Sequence, residues 1–130
     1  MENCIFCKIT TGEIPHNKVY ENANFVGFLD INPINKGHTL LIPKKHLRWI
    51  EDADDATISG IFMLSKKIIL AMKKGLNCDY VQVMTVGKDV PHFHVHLIPR
   101  NLADELPLEQ TQKYTEGEAQ EVVQKITSAL

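Results

Sequence analysis

The chain has 130 residues, 44% hydrophobic and 23% charged, with a formal net charge of −2 and six histidines. That length suits one domain and that composition a packed core, which excludes a disordered chain. The charge balance lacks the positive excess of a nucleic-acid coat, and no run of about 18 apolar residues is present to span a membrane.

In chain order, Lys18-Val19-Tyr20 and Phe25-Val26-Gly27-Phe28-Leu29 read as two strands about the turn Glu21-Asn22-Ala23-Asn24. Asp30 to Gly37 is a loop rich in turn formers, and His38-Thr39-Leu40-Leu41-Ile42 is a short strand closed by Pro43. Ile58, Ile61, Phe62, Ser65, Ile68, Ile69 and Met72 recur at three- and four-residue spacing and predict a long helix. Asp54 or Asp55 would cap its start, Lys73 and Lys74 suit its last turn, and Gly75 would supply the left-handed stop. Residues 80–86 predict a strand, 87–91 a connection, and 92–99 a further strand. After Arg100 the chain is polar, with Pro107, and a final short helix is expected over Gly117–Ala129 on the apolar side Val122, Val123 and Ile126. The fold class is α+β: an antiparallel sheet of about five strands, one long helix and a short C-terminal helix.

The segment His92-Phe93-His94-Val95-His96-Leu97-Ile98 carries the chemistry. Side chains alternate along a strand, so the three histidines share one face and Phe93, Val95 and Leu97 the other. A half-buried strand would ordinarily place Thr, Lys or Ser at such positions. A lone histidine points to no function, whereas three in alternation call for a ligand. Imidazole, with an ordinary pKa of about 6.5, is largely neutral and nucleophilic at neutral pH. If one ring nitrogen donates to a backbone carbonyl, the other presents its lone pair. Attack on phosphorus then divides one difficult displacement into two, and a second imidazole can hold the phosphate oxygens.

This H-φ-H-φ-H-φ-φ pattern resembles the histidine triad (HIT) family of nucleotide-binding hydrolases and transferases. Phe28-Leu29-Asp30-Ile31-Asn32-Pro33, Gly37-His38-Thr39-Leu40-Leu41-Ile42-Pro43-Lys44-Lys45-His46 and Cys4-Ile5-Phe6-Cys7-Lys8-Ile9 followed by Gly12-Glu13-Ile14-Pro15 are similar to the family's other segments, in its order. The resemblance implies one HIT domain over residues 1–130, with a motif-bearing core at about 4–100 and an extension at 101–130. It implies that His94 is the nucleophile, that His96 contacts the phosphate and that His38 lies beside it. Asp30 would hold the ribose hydroxyls, as a carboxylate suits a diol, and Ile5, Phe6, Ile9, Phe28 and Ile31 would line the base slot; for Ile9, core packing is an equal alternative. Thr85 stands where the family usually has Asn, so the resemblance makes it a nucleotide-binding residue, and the 85–91 segment is short. The small polar residue that helps the leaving group has no evident match, unless Lys88 replaces it.

Cys4-x-x-Cys7 alone reads as zinc, thiol redox chemistry or coincidence. A redox motif would follow a strand and open a helix, whereas this one lies at the start of the sequence. Structural zinc needs four ligands, and His46 and His92 are available. The resemblance implies those two as the completing pair: a structural zinc on Cys4, Cys7, His46 and His92. With three cysteines, an odd number, and no basic-then-apolar leader, a cytoplasmic protein with free or metal-bound thiols is expected.

Lys36, Lys44, Lys45 and Arg48 form a basic cluster near His38, either phosphate-attracting or merely solvated, and Arg100 reads the same way. Cys78 is expected as a small buried hydrophobe, His16 at the surface and Trp49 packed below the 38–46 segment. The function expected is attack on the α-phosphate of a purine nucleotide through a nucleotidyl-histidine, as in purine nucleoside phosphoramidate hydrolysis. The alternatives are a dinucleoside polyphosphate hydrolase, a nucleotide-binding module with little turnover, and a protein using its histidines as metal ligands. The family resemblance further implies a homodimer.

Overall fold

A computed structural model of the chain describes residues 3–104 and 111–130; Pro107 lies outside them. The chain opens with a short helix, α1 (Ile5–Thr10), capped by the Cys4 side chain, which accepts from the Cys7 amide. The cysteine motif therefore does open a helix, which the sequence reading did not anticipate. Six residues are too few to display an amphipathic period, and such a helix depends on tertiary contacts to persist.

Strands β1 (Lys18–Glu21), β2 (Phe25–Leu29) and β3 (Thr39–Pro43) form an antiparallel meander. Helix α2 (Asp55–Leu76) then crosses to β4 (Tyr80–Met84), and β5 (Val95–Arg100) inserts between β3 and β4. The sheet order is β1-β2-β3-β5-β4, every neighbouring pair is antiparallel, and α3 (Glu118–Thr127) closes the described chain. The five-stranded α+β arrangement agrees with the sequence reading.

β2 and β3 are buried at every position, because both faces of the sheet are covered. On one face Leu41, Val95 and Leu97 pack with Ile61, Leu64, Ile68 and Met72 of α2 and with Val122 and Ile126 of α3. On the other, Val26, Phe28, Leu40 and Ile42 pack with Cys4, Phe6 and Ile9. His96 lies opposite Leu40 in the ladder, so the histidine face is the one that α1 covers.

Three boundaries differ from expectation. Asp54 is the N-cap of α2, accepting from the Thr57 amide, but the left-handed stop is Asn77 (φ 55°), not Gly75. Gly75 is instead the crossing point of α2 and α3: a Cβ there would lie 2.1 Å from the Lys125 carbonyl oxygen. β4 ends at Met84, not Val86, and β5 starts at Val95, leaving His92 and His94 outside the ladder. The last paired couples are Met84 with His96 on one side and Leu41 with Val95 on the other; before them the backbone bonds elsewhere, the Phe93 amide to the Leu47 carbonyl and the His92 amide back to the Val90 carbonyl at 2.9 Å.

Candidate active site

The start of β3 and the middle of β5 are neighbours, which brings His38 against His96, Nε2 to Nδ1, at 2.9 Å. His94 precedes β5, and its ring centroid lies 4.8 Å from that of His96. His38 and His94 are buried, and burial lowers the pKa of every one of these imidazoles, to about 3 for His38 and about 4 for His96. The neutral ring is thus the working form, and its two nitrogens are distinguished by their partners.

His94 Nδ1 donates to the His92 carbonyl at 2.6 Å, so its Nε2 carries a lone pair. His38 Nδ1 accepts from the Ile34 amide at 3.1 Å, so its Nε2 bears the proton and donates to His96 Nδ1. His96 Nε2 is therefore an N–H donor. The arrangement sets an unprotonated ring nitrogen of His94 beside a neutral N–H donor of His96, a pairing able to attack an anionic phosphoryl group.

Around these rings, Phe6 stands edge-on to His94 at 5.0 Å and to Phe28 at 5.5 Å. Phe6, Ile9 and Phe28 are buried, whereas Ile5 is 47% and Ile31 71% exposed. Phe6, Ile9 and Phe28 belong to the core cluster on the histidine face, and Ile5 and Ile31 are exposed apolar side chains. Asp30 follows β2, with Oδ2 3.7 Å from His38 Nε2 and Oδ1 accepting from the Asn32 amide at 2.9 Å. Burial raises its carboxyl above the ordinary value. The Thr85 hydroxyl, expected to meet the nucleotide, instead donates to the His94 carbonyl at 2.8 Å, holding the backbone of the candidate nucleophile.

Cys4, Cys7, His46 and His92 converge, their ligand atoms all within 4.8 Å of one another. Cys7 Sγ lies 3.1 Å from His46 Nδ1 and 3.5 Å from His92 Nδ1, and Cys4 Sγ 3.4 Å from His92 Nδ1. A tetrahedral zinc has sulfur–nitrogen edges of roughly 3.5 Å. His92 Nε2 donates to the Pro43 carbonyl at 2.8 Å, so Nδ1, facing the thiols, has its lone pair free. The four residues fit a structural zinc. Asp30, His38 and His96 form a second close trio, but the Ile34 amide makes His38 Nε2 a proton carrier, and that trio does not fit a metal.

Other sequence expectations shift. The basic cluster is dispersed: Lys44 pairs with Glu21 and Lys36 with Glu118, each at 2.8 Å, and Arg48 lies over the Trp49 ring at 4.6 Å. Arg100 is not a surface cation but buried, its Nε and Nη2 donating to Gln82 Oε1 at 3.0 and 2.7 Å, with no partner for Nη1 among the described residues. Trp49 is 42% exposed and rests against Gly87. His16 is half-buried against Phe28, while Cys78 is half-buried beside the Met72 carbonyl. Two groups that order the site left no mark in the sequence: the Ile34 amide, a backbone donor, and Tyr114, 77 residues from its partner Gly37.

The profile of the HIT domain matches residues 11–103. A Hit-like protein of Bartonella henselae, described as involved in cell-cycle regulation, has a solved structure similar to this one (TM-score 0.91, 36% identity, 100% of this chain and 98% of that one). A Zn-bound histidine triad family protein of Mycobacterium smegmatis is similar over 98% of this chain and 93% of its own (TM-score 0.87, 30% identity). The adenosine 5′-monophosphoramidase of Schizosaccharomyces pombe is 38% identical over 99 residues, 75% of this chain and 74% of its own. The chain belongs to the HIT family. It is a hydrolase of that family with a Cys/His cluster able to hold a metal. None of its described helices is long and apolar enough to cross a membrane.

Proposed function

We propose that the protein hydrolyses purine nucleoside phosphoramidates by way of a nucleotidyl-histidine on His94. The observation that supports this most strongly is the hydrogen bond from His94 Nδ1 to the His92 carbonyl, which leaves Nε2 as a buried, neutral nucleophile. Nε2 forms a bond to the α-phosphorus; the bond from phosphorus to the leaving amine breaks, and the amine departs with the electron pair and takes up a proton from solvent, the proton that the attacking water later returns. Water then attacks the same phosphorus, releasing the nucleoside monophosphate and returning the electron pair to Nε2. His96 donates to a phosphate oxygen and His38, donating to His96 Nδ1, holds it in that role. Asp30 accepts from the ribose hydroxyls, and Ile5, Phe6, Ile9, Phe28 and Ile31 enclose the base. Thr85 serves the nucleotide site by holding the His94 backbone.

In this reading a structural zinc on Cys4, Cys7, His46 and His92 anchors α1, and no step passes through it. The protein acts as a cytoplasmic homodimer, a state that the exposed Tyr80, Val83 and Val86 at and after the edge strand β4 support. Light scattering at micromolar concentration should give about twice 14.7 kDa, and 14.7 kDa itself would refute the dimer.

A second reading, a nucleotide-binding module with little turnover, draws on the 85–91 segment: the Thr85 hydroxyl is engaged with the His94 carbonyl, and Lys88 is exposed. A panel of adenosine and guanosine phosphoramidates and dinucleoside polyphosphates, run beside His94→Asn, decides. Phosphoramidate turnover lost in the variant, with AMP affinity within a few-fold, is expected; preference for the dinucleotides would assign the other hydrolase branch. Retained AMP binding with no turnover of any substrate would establish the binding module.

A further inference from the structure

We propose that the segment 112–118 is a strap that locks the histidine tautomers of the active site, with the Tyr114 hydroxyl as its principal positioning group. The proposal rests on the reading of His96 as the phosphate donor. This segment lies beyond the residues that the HIT profile matches.

The loop between β2 and β3 carries the Ile34 amide, whose bond to His38 Nδ1, with the Asp30 carboxylate 3.7 Å from Nε2, keeps the proton on Nε2. That amide has no regular secondary structure to hold it. The strap holds it from both sides. In that amide's own peptide unit the Gln112 amide donates to the Pro33 carbonyl at 2.7 Å, and in the next the Gln112 side chain donates to the Ile34 carbonyl at 3.1 Å. After it, the Gly37 amide donates to Tyr114 Oη at 2.9 Å, and Lys36 pairs with Glu118 at 2.8 Å. Gly37 sits at φ 103° with Leu76 so near that a Cβ would lie 2.4 Å from its Cδ1, so the loop cannot press further onto α2. Tyr114 also packs against the main core, and burial pushes its phenol up, which keeps the hydroxyl neutral.

With the Ile34 amide in place, His38 Nε2 donates to His96 Nδ1, and His96 Nε2 is a donor. If the loop drifts and His38 takes the other tautomer, its Nε2 becomes an acceptor. His96 must then protonate Nδ1, and its Nε2 turns a lone pair toward the phosphate. Donor becomes repulsion without loss of any side chain from the site.

The test is Tyr114→Phe, which keeps the packed ring and removes the hydroxyl. Gln112→Ala, at an exposed position that does not threaten folding, is the second variant. Two-dimensional NMR of ¹⁵N-histidine protein reads the tautomers in the absence of any substrate. In the unaltered protein His38 and His96 should each show one tautomer; in Tyr114→Phe both should show averaged shifts. With substrate, kcat should fall by roughly 10-fold or more with KM within about threefold, as loss of a fixed phosphate donor predicts. Gln112→Ala should shift both readouts the same way and less. Unaltered tautomers in both variants would overturn the strap, whatever the turnover. Lost tautomers with unchanged kcat would leave the strap standing and overturn the role given to His96.

Discussion

His94 Nδ1 lies 2.6 Å from the carbonyl oxygen of His92, and His92 Nδ1 lies within 3.5 Å of the sulfurs of both Cys4 and Cys7. The residue that orients the candidate nucleophile is thus itself held by the candidate metal cluster. Phe6, between the two cysteines, touches the rings of both histidines, at 6.0 Å from His92 and 5.0 Å from His94.

Metal removal should therefore act on nucleotide binding as well as on stability. Protein purified without chelator should carry about one zinc per chain. Structural zinc sites contribute several kcal/mol, ~10–16 in zinc-finger peptides, so chelation or Cys4→Ser should lower the melting temperature sharply. It should also release α1 and weaken AMP binding by roughly 10-fold by calorimetry. Metal below about a tenth of an equivalent, or AMP affinity indifferent to chelation, would contradict the anchor.

Acid should weaken the fold and the chemistry together. His38 and His96 are pushed by burial to about 3 and about 4, against about 6.5 in an unfolded chain. Between those values the unfolded state binds protons that the folded state refuses, so stability rises with pH through that window and is lost as pH falls through it. Denaturation midpoints in urea should drop steadily from pH 7 to pH 4. His94 is also lowered by burial, so the acid limb of kcat/KM should fall with an apparent pKa below 6.5. A midpoint flat across that range, or an acid limb above 6.5, would count against neutral imidazoles.

Gly75→Ala separates helix propensity from packing. In an exposed helix interior the change would gain about 1 kcal/mol. Here the new methyl meets the Lys125 backbone at 2.1 Å, so α2 and α3 must part. Overpacking of this kind costs typically 1–3 kcal/mol, and denaturant unfolding should show a loss of that order. A gain would mean that the two helices do not cross at this glycine.

Much of this site was legible because its residues lie in short local patterns. The alternation of His92, His94 and His96 and the pair Cys4 and Cys7 are readable by spacing, and His46 came from the family resemblance; in the structure Cys4, Cys7, His46 and His92 lie close together, and His94 lies beside His96. What was not legible is set by partners distant in sequence. Gly75 looks like a helix stop until Lys125 is seen against it. Arg100 and Lys44 look alike as cations, yet one is buried on Gln82 and the other pairs with Glu21. The continuous apolar runs in β2 and β3 carry no period from which to learn which face meets α2. Tautomers depend on single backbone groups, of Ile34, Pro43 and His92, that no residue type announces.

On the proposed mechanism, His94 Nε2 forms a covalent bond to the nucleotide phosphorus. Rapid acid-free quenching of a single turnover with an adenosine phosphoramidate, followed by intact-protein and peptide mass spectrometry, tests it directly. One adenylyl group on the peptide that contains His94, appearing and decaying at rates consistent with turnover and absent in His94→Asn, is the predicted result. Full turnover by His94→Asn, or an adenylyl group on any other residue, would rule out His94 as the nucleophile.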